Sequence, residues 1–136
     1  MPKEQAEFEA GMQAHVERGE KGVKTSWDEV NLPMVRHWVQ AMDDNNPVYT
    51  DAEFAAGTRH GGLVAPPTML QAWTMKGVKD QAPGSSTTDP MADVFDALTE
   101  AGYPAVVATN CEQTYLRYVK PGEKLHHTYR LESISG

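Results

Sequence analysis

Between Pro33 and Asp43 the apolar residues fall at Val35, Trp38, Val39 and Met42, the i, i+3, i+4, i+7 spacing that gathers one face of an α-helix. Pro33 suits a first turn, where its missing N–H costs nothing, and Asn31 or Leu32 stands near the cap. A second helix is predicted from Pro66 or Pro67 to Lys79. Its Met69, Leu70, Ala72, Trp73, Met75 and Val78 leave few strongly polar faces, as in a helix enclosed by a sheet. A third opens at Asp89-Pro90 and runs to Glu100, with Val94, Phe95, Leu98 and Ala101 apolar and Gly102 as the stop. Ahead of these, Met1 to Val23 reads as a charged helix with a weak stripe of Phe8, Met12, His15 and Val16, weakened by Gly11 and Gly19. Lys24 to Asn31 reads as a short extended piece anchored by Trp27, and Asp51 to Ala56 as a helical turn. From Ala105 the period becomes two. Ala105 to Val119 and Glu123 to Ile134 are predicted as antiparallel strands joined by the Lys120-Pro121-Gly122 turn. The pattern describes a mixed α+β chain.

Composition narrows the classes. A chain of 136 residues has the length of one small domain. Its 12 Lys and Arg against 19 Asp and Glu leave a net charge of −7, with no clustered basic stripe, which argues against nucleic acid and anionic membranes as partners. No apolar run approaches the length of a membrane span, and Met1 to Glu20 is polar rather than signal-like. The single Cys111 rules out an internal disulfide framework and fits a reducing compartment, the cytoplasm. Cys111 lies in a strand-like run and reads as a buried, inert thiol. No Cys-x-x-Cys, His-x3-His or carboxylate-rich loop is present, so no metal is expected.

The stretch Trp38 to Leu70 concentrates the unusual chemistry. Asp44-Asn45-Asn46-Pro47 is a turn by composition, because Asx side chains bond nearby backbone and Pro sets its own φ. The Gly57-Thr58-Arg59-His60-Gly61-Gly62 loop holds the histidine nearest to it. A Gly-rich loop suits substrate contact better than a firmly held base, so His60 is a rival catalytic candidate. His37 falls off the apolar stripe and reads as solvent-facing. His126 and His127 are adjacent on a strand, point to opposite faces and cannot form a local metal pair.

The run Asp44-Asn45-Asn46-Pro47-Val48-Tyr49-Thr50-Asp51, followed by Gly62-Leu63-Val64-Ala65-Pro66-Pro67-Thr68, resembles the MaoC-type hydratases and dehydratases, in particular the amino-terminal, FAS1-type branch. Val107 to Tyr115, with Arg117-Tyr118 and Pro121-Gly122-Glu123 beyond, is similar to the MaoC-like domain of the larger subunit of actinobacterial heteromeric steroid side-chain hydratases. The resemblance covers roughly Val30 to Gly136. It implies a hot-dog fold, an antiparallel sheet wrapped around a central helix, as a single domain over residues 1–136. Residues 1–30 would be a helical extension and residues 80–102 a helical insertion, a candidate wall or lid of the acyl pocket. A hot-dog sheet needs about five strands, so two clear ones suggest truncation after the second long strand, with the rest on a longer polypeptide or another chain.

Active relatives carry Asp-x-Asn-Pro-x-His, whose Asp and His handle the water added across a trans-2-enoyl thioester. Asp44, Asn46 and Pro47 match that motif, but Tyr49 stands in the His position. A phenol with a pKa near ~10 is a poor base at neutral pH. Relatives also open the next helix with His-Gly, whose Gly N–H polarises the thioester carbonyl. Ala65-Pro66 stands there, and proline has no N–H.

The resemblance thus implies a non-catalytic half of a heteromeric enoyl-CoA hydratase, with Asp44, Asn46 and Tyr49 as relics and the catalytic Asp and His in a partner hot-dog subunit. No cofactor is implied, the CoA thioester being the substrate. Gly61, Gly62, Leu63, Val64, Pro66, Met69, Trp73 and Tyr115 would border it, with Arg117 a further pocket or interface residue. A thiolase-like protein would be a further partner through a domain not seen here. Two alternatives stand beside this reading: a self-sufficient homodimeric hydratase using Asp44 with His60, and an acyl-CoA-binding or assembly module without turnover.

Overall fold

The structure is a computed structural model that describes residues 3–77 and 81–135. Its elements are α1 (Lys3–Glu17), β1 (Lys21–Thr25), α2 (Leu32–Met42), a 3₁₀ turn (Pro47–Tyr49), α3 (Ala52–Ala56), a 3₁₀ helix (Pro67–Thr74), α4 (Pro90–Glu100) and β2 (His126–Arg130). They divide into two compact units, one of Met1–Val23, Gly84–Glu112 and His127–Gly136, the other of Lys24–Pro83 and Gln113–His126.

The second unit carries the motifs. Asn31 Oδ1 accepts from the Met34 N–H at 3.0 Å and caps α2, while Val35 and Val39 turn its apolar face inward. The helix stops at Asp43, which adopts φ 52° and lets the Asp44 N–H close on Val39 O at 2.9 Å. Met42, predicted on the buried stripe, is exposed, because the helix ends immediately after it. Val30, Val35, Val39, Val48, Tyr49, Val64, Ala65, Met69, Trp73 and Val119 form one core, with Trp38, Tyr118 and Leu125 packed against it.

The predicted Pro67-to-Lys79 α-helix is instead a 3₁₀ helix ending at Thr74; Val78 and Lys79 lie outside the described residues. Its first turn closes through Met69 N–H to Pro66 O at 3.2 Å, a three-residue step. Only Met69, Trp73 and Thr74 of it are buried, and Met75 is 68% exposed. The described residues wrap no sheet around it.

The predicted hairpin is also rebuilt. The Lys120-Pro121-Gly122 turn forms, with Glu123 N–H on Lys120 O and Gly122 at φ 92°. The arm after it pairs not with Ala105 to Val119 but with the segment before α2. Gly122 N–H bonds Val30 O, Val30 N–H bonds Glu123 O and Ser26 N–H bonds Leu125 O, each at 2.8 Å. This antiparallel run leads into the two-stranded β1–β2 sheet, so the second predicted strand is regular only over His126–Arg130. Residues 105–117 join no ladder among the described residues and are exposed throughout, Val107 by 81% and Leu116 by 94%. A strand is stable only where neighbours take its amides and cover a face, and no described segment does so here. The same cause exposes Cys111, contrary to the buried thiol expected.

In the first unit α1 packs against α4, burying Met12 and bringing the Phe8 and Tyr103 rings to 6.2 Å. The predicted helix through Val23 ends at Glu17 because Gly19, at φ 60°, turns the chain, and β1 takes the residues that follow. Asp89 Oδ1 caps α4 through the Met91 and Ala92 amides, and the helix stops before Gly102 at φ 91°. Tyr129 donates its hydroxyl proton to Asp89, and its ring lies over Gly22, where an added Cβ would collide with it. A cavity of about 1,110 Å³ runs along α1 and α4, lined by Phe8, Met12, Leu98 and Ile134.

Candidate functional site

The Asp44-to-Tyr49 turn is built by its own side chains. Asp44 Oδ1 accepts from the Asn46 N–H at 3.2 Å, and Asn46 Oδ1 accepts from the Val48 N–H at 3.2 Å, starting the 3₁₀ turn. The turn then carries Val48 and Tyr49 into the core. Tyr49 is 7% exposed. Burial is the largest cause of a phenol pKa above its usual value, with the Asp44 charge and then Tyr118 acting the same way. Tyr49 therefore stays protonated at neutral pH and cannot accept a proton from water.

The Ala65-Pro66-Pro67 step has no N–H to spare. Ala65 is fully buried and its N–H is spent on Val119 O at 2.9 Å, while Pro66 and Pro67 have none to offer. Val64 N–H bonds Val48 O at 3.3 Å, which ties the Gly-rich loop to the turn. Asp44 and Tyr49 thus hold backbone and core in place.

His60 sits on the far end of that loop. Its N–H bonds Thr58 Oγ1 at 3.2 Å and its carbonyl accepts from Lys120 Nζ at 3.2 Å. Its ring packs on Tyr118 at 4.5 Å between centroids. The two face a cavity of about 510 Å³ completed by Arg59, Val64, Tyr115, Leu116, Arg117 and Lys120. Arg117 is held bidentate by Glu123, at 2.8 and 3.1 Å, and Glu123 also accepts from the Lys120 N–H at 2.6 Å. The Arg117 bond first, then the Lys120 amide, keeps the Glu123 carboxyl below its ordinary range.

Of the residues expected to border a substrate, Val64 and Tyr115 line this cavity. Gly61, at φ 68°, Gly62 and Leu63 form the loop beside it, whereas Pro66, Met69 and Trp73 are buried. Sequence reasoning missed Tyr118 and Lys120. Lys120 was legible only as a turn residue, yet it faces the loop 60 residues earlier. Among the described residues no group of three His, Cys, Asp or Glu could hold a metal ion, and no helix is long and apolar enough to cross a membrane.

Comparison with known proteins gives concordant results. The family profile described as FAS1-like, dehydratase domain region matches residues 19–135. The 3-oxo-4,17-pregnadiene-20-carboxyl-CoA hydratase alpha subunit of Mycobacterium tuberculosis is 46% identical over 109 residues, 80% of this chain and 34% of that protein. The probable enoyl-CoA hydratase alpha subunit of Thermomonospora curvata is 40% identical over 129 residues, 95% of this chain and 40% of that protein. The chain therefore spans between a third and two-fifths of the length of these relatives. A chain in the crystal structure of the ChsH1–ChsH2 complex from Mycobacterium tuberculosis superposes with a TM-score of 0.79 at 37% identity, covering 96% of this chain and 72% of that one.

Proposed function

Because this chain belongs to the FAS1-like dehydratase-domain family, we propose that it is the non-catalytic hot-dog half of a heteromeric enoyl-CoA hydratase. The substrate is a 2-enoyl-CoA with a bulky acyl group, a steroid side-chain thioester. Water adds across its 2,3 double bond through an Asp and a His of a partner hot-dog subunit. The observation that carries the reading is the buried, protonated Tyr49 in the position of the catalytic imidazole. The absence of any N–H at Pro66 supports it independently.

The naming of two relatives as hydratase alpha subunits supports the substrate class and the two-subunit organisation. In this reading Gly61 to Val64, with Tyr115, border the bound substrate. Pro66, Met69 and Trp73 back that wall from the core. A half released from holding a dyad can give its volume to the acyl group, because only one active carboxylate–imidazole pair is needed per bound thioester.

The test is hydration of a 2-enoyl-CoA by this chain, by a purified partner carrying an intact Asp and His, and by the two co-purified. Turnover is expected only in the mixture and survives Asp44→Ala in this chain. Turnover by the isolated chain, lost in His60→Ala, overturns the proposal in favour of a self-sufficient hydratase.

A further inference from the structure

The 510 Å³ cavity beside His60 has a charge opposite to that of its chain. Arg59, Arg117 and Lys120 line it together with His60, and no carboxylate is among its lining residues, although acidic residues outnumber basic ones 19 to 12 overall. The three cations are not equivalent. Arg117 is neutralised by the bidentate Glu123 contact. Lys120 spends one of its three ammonium protons on His60 O, leaving two. Arg59 is exposed and makes no hydrogen bond or ion pair with a described residue.

Arg59 and Lys120, which keeps two ammonium protons, therefore stand at one mouth, and the lining they share includes aromatic and apolar Tyr115, Tyr118, Leu116 and Val64. Leu116 is 94% exposed, an unusual setting for an apolar side chain beside charges. Paired cations select an anion with more than one phosphate, and flat apolar walls select an aromatic base. The volume falls within the roughly 300–1,000 Å³ of small-molecule sites.

We propose that Arg59 and Lys120 form a docking site for the phosphorylated adenosine end of the CoA thioester, with Tyr115 and Leu116 against the adenine and Arg117 holding the 120–122 turn in shape through Glu123. This deepens the proposed function and rests on it for the identity of the ligand. The site would hold the substrate by the end that does not react, so it acts on binding and leaves the chemical step to the partner.

Calorimetric titration of the chain with adenosine 3′,5′-bisphosphate, CoA, 3′-dephospho-CoA and pantetheine tests it. The bisphosphate and CoA are expected to bind, pantetheine not, with affinity falling as salt rises. Arg59→Gln and Lys120→Gln should each weaken bisphosphate binding by about tenfold, as loss of one charge-assisted contact does. Arg59→Gln breaks no internal bond, so an unchanged melting temperature accompanies its loss of affinity. Bisphosphate binding that is absent, or equal in wild type and both variants, overturns the site. So do variants that weaken co-purification with the partner while nucleotide affinity is unchanged, since the cations would then read an acidic protein surface.

The hydratase reading and the site fail separately. Bisphosphate binding as expected, with no hydration by the mixed subunits, sinks the first and upholds the second. Hydration whose KM is the same for wild type and Arg59→Gln, with CoA and pantetheine thioesters alike, does the reverse.

Discussion

Tyr49 shows how far a single residue can carry a functional argument. Its identity breaks the Asp–His pattern on paper, and its burial then removes the remaining option of an activated phenolate, because desolvation disfavours the charged form. Restoring the imidazole in Tyr49→His is expected to give the isolated chain no measurable hydration, since the Ala65 N–H stays bonded to Val119 O and Pro66 offers none. Asp44→Ala removes the acceptor for the Asn46 amide at a partly exposed turn and should cost about 0.5–1.5 kcal/mol in chemical denaturation, with kcat of the mixture unchanged. Glu123 gives a pH signature. Its carboxyl titrates below its ordinary value of 4.5 when folded, so the folded state holds the charged form more firmly than the unfolded one. The stability this confers is complete above that value and is lost as pH falls through the lower folded one. The urea midpoint should therefore fall more steeply with pH below 4.5 in the wild type than in Glu123→Gln.

At the scale of elements, the helices show where local signals suffice. α2 and α4 lie within a residue of their predicted bounds, because Asn31, Asp89 and the prolines behind them act on amides two or three residues away. The 3₁₀ helix does not follow its apolar pattern: its turns close over three residues and only Met69, Trp73 and Thr74 of it are buried. Its core side still matters: Met69, 1% exposed, should cost about 2–5 kcal/mol when replaced by Ala. In the β1–β2 pair the close approach of Gly22 and Tyr129 sets a sharper test. Gly22→Ala pushes the Tyr129 ring off Asp89 and is expected to destabilise the fold by about 1–3 kcal/mol. Tyr129→Phe, which loses the hydroxyl and keeps the ring, should cost no more than about 1–2 kcal/mol. Thermal melts of the two variants give that order.

At the scale of the whole molecule, the sequence by itself determined the α+β class, two of the helices, and the 44–47 and 120–122 turns. Each depends on side chains acting within a few residues: caps on amides, Asx side chains on nearby backbone, prolines on φ. Strand pairing was decided only in three dimensions. Residues 105–117 have the alternating pattern of a strand, yet alternation says which face a side chain takes and nothing about which segment supplies the neighbouring amides. Gly122, Glu123 and Leu125 pair with Val30 and Ser26 across a gap of nearly a hundred residues, which no local spacing encodes. The candidate site divides in the same way. Asp44, Tyr49, His60 and Pro66 were legible because the motif is contiguous, whereas the cationic cavity was not. Arg59 and His60 come from a loop, Tyr118 and Lys120 from the 120–122 turn and the residues before it, and only tertiary packing places them around one space, where their charges add.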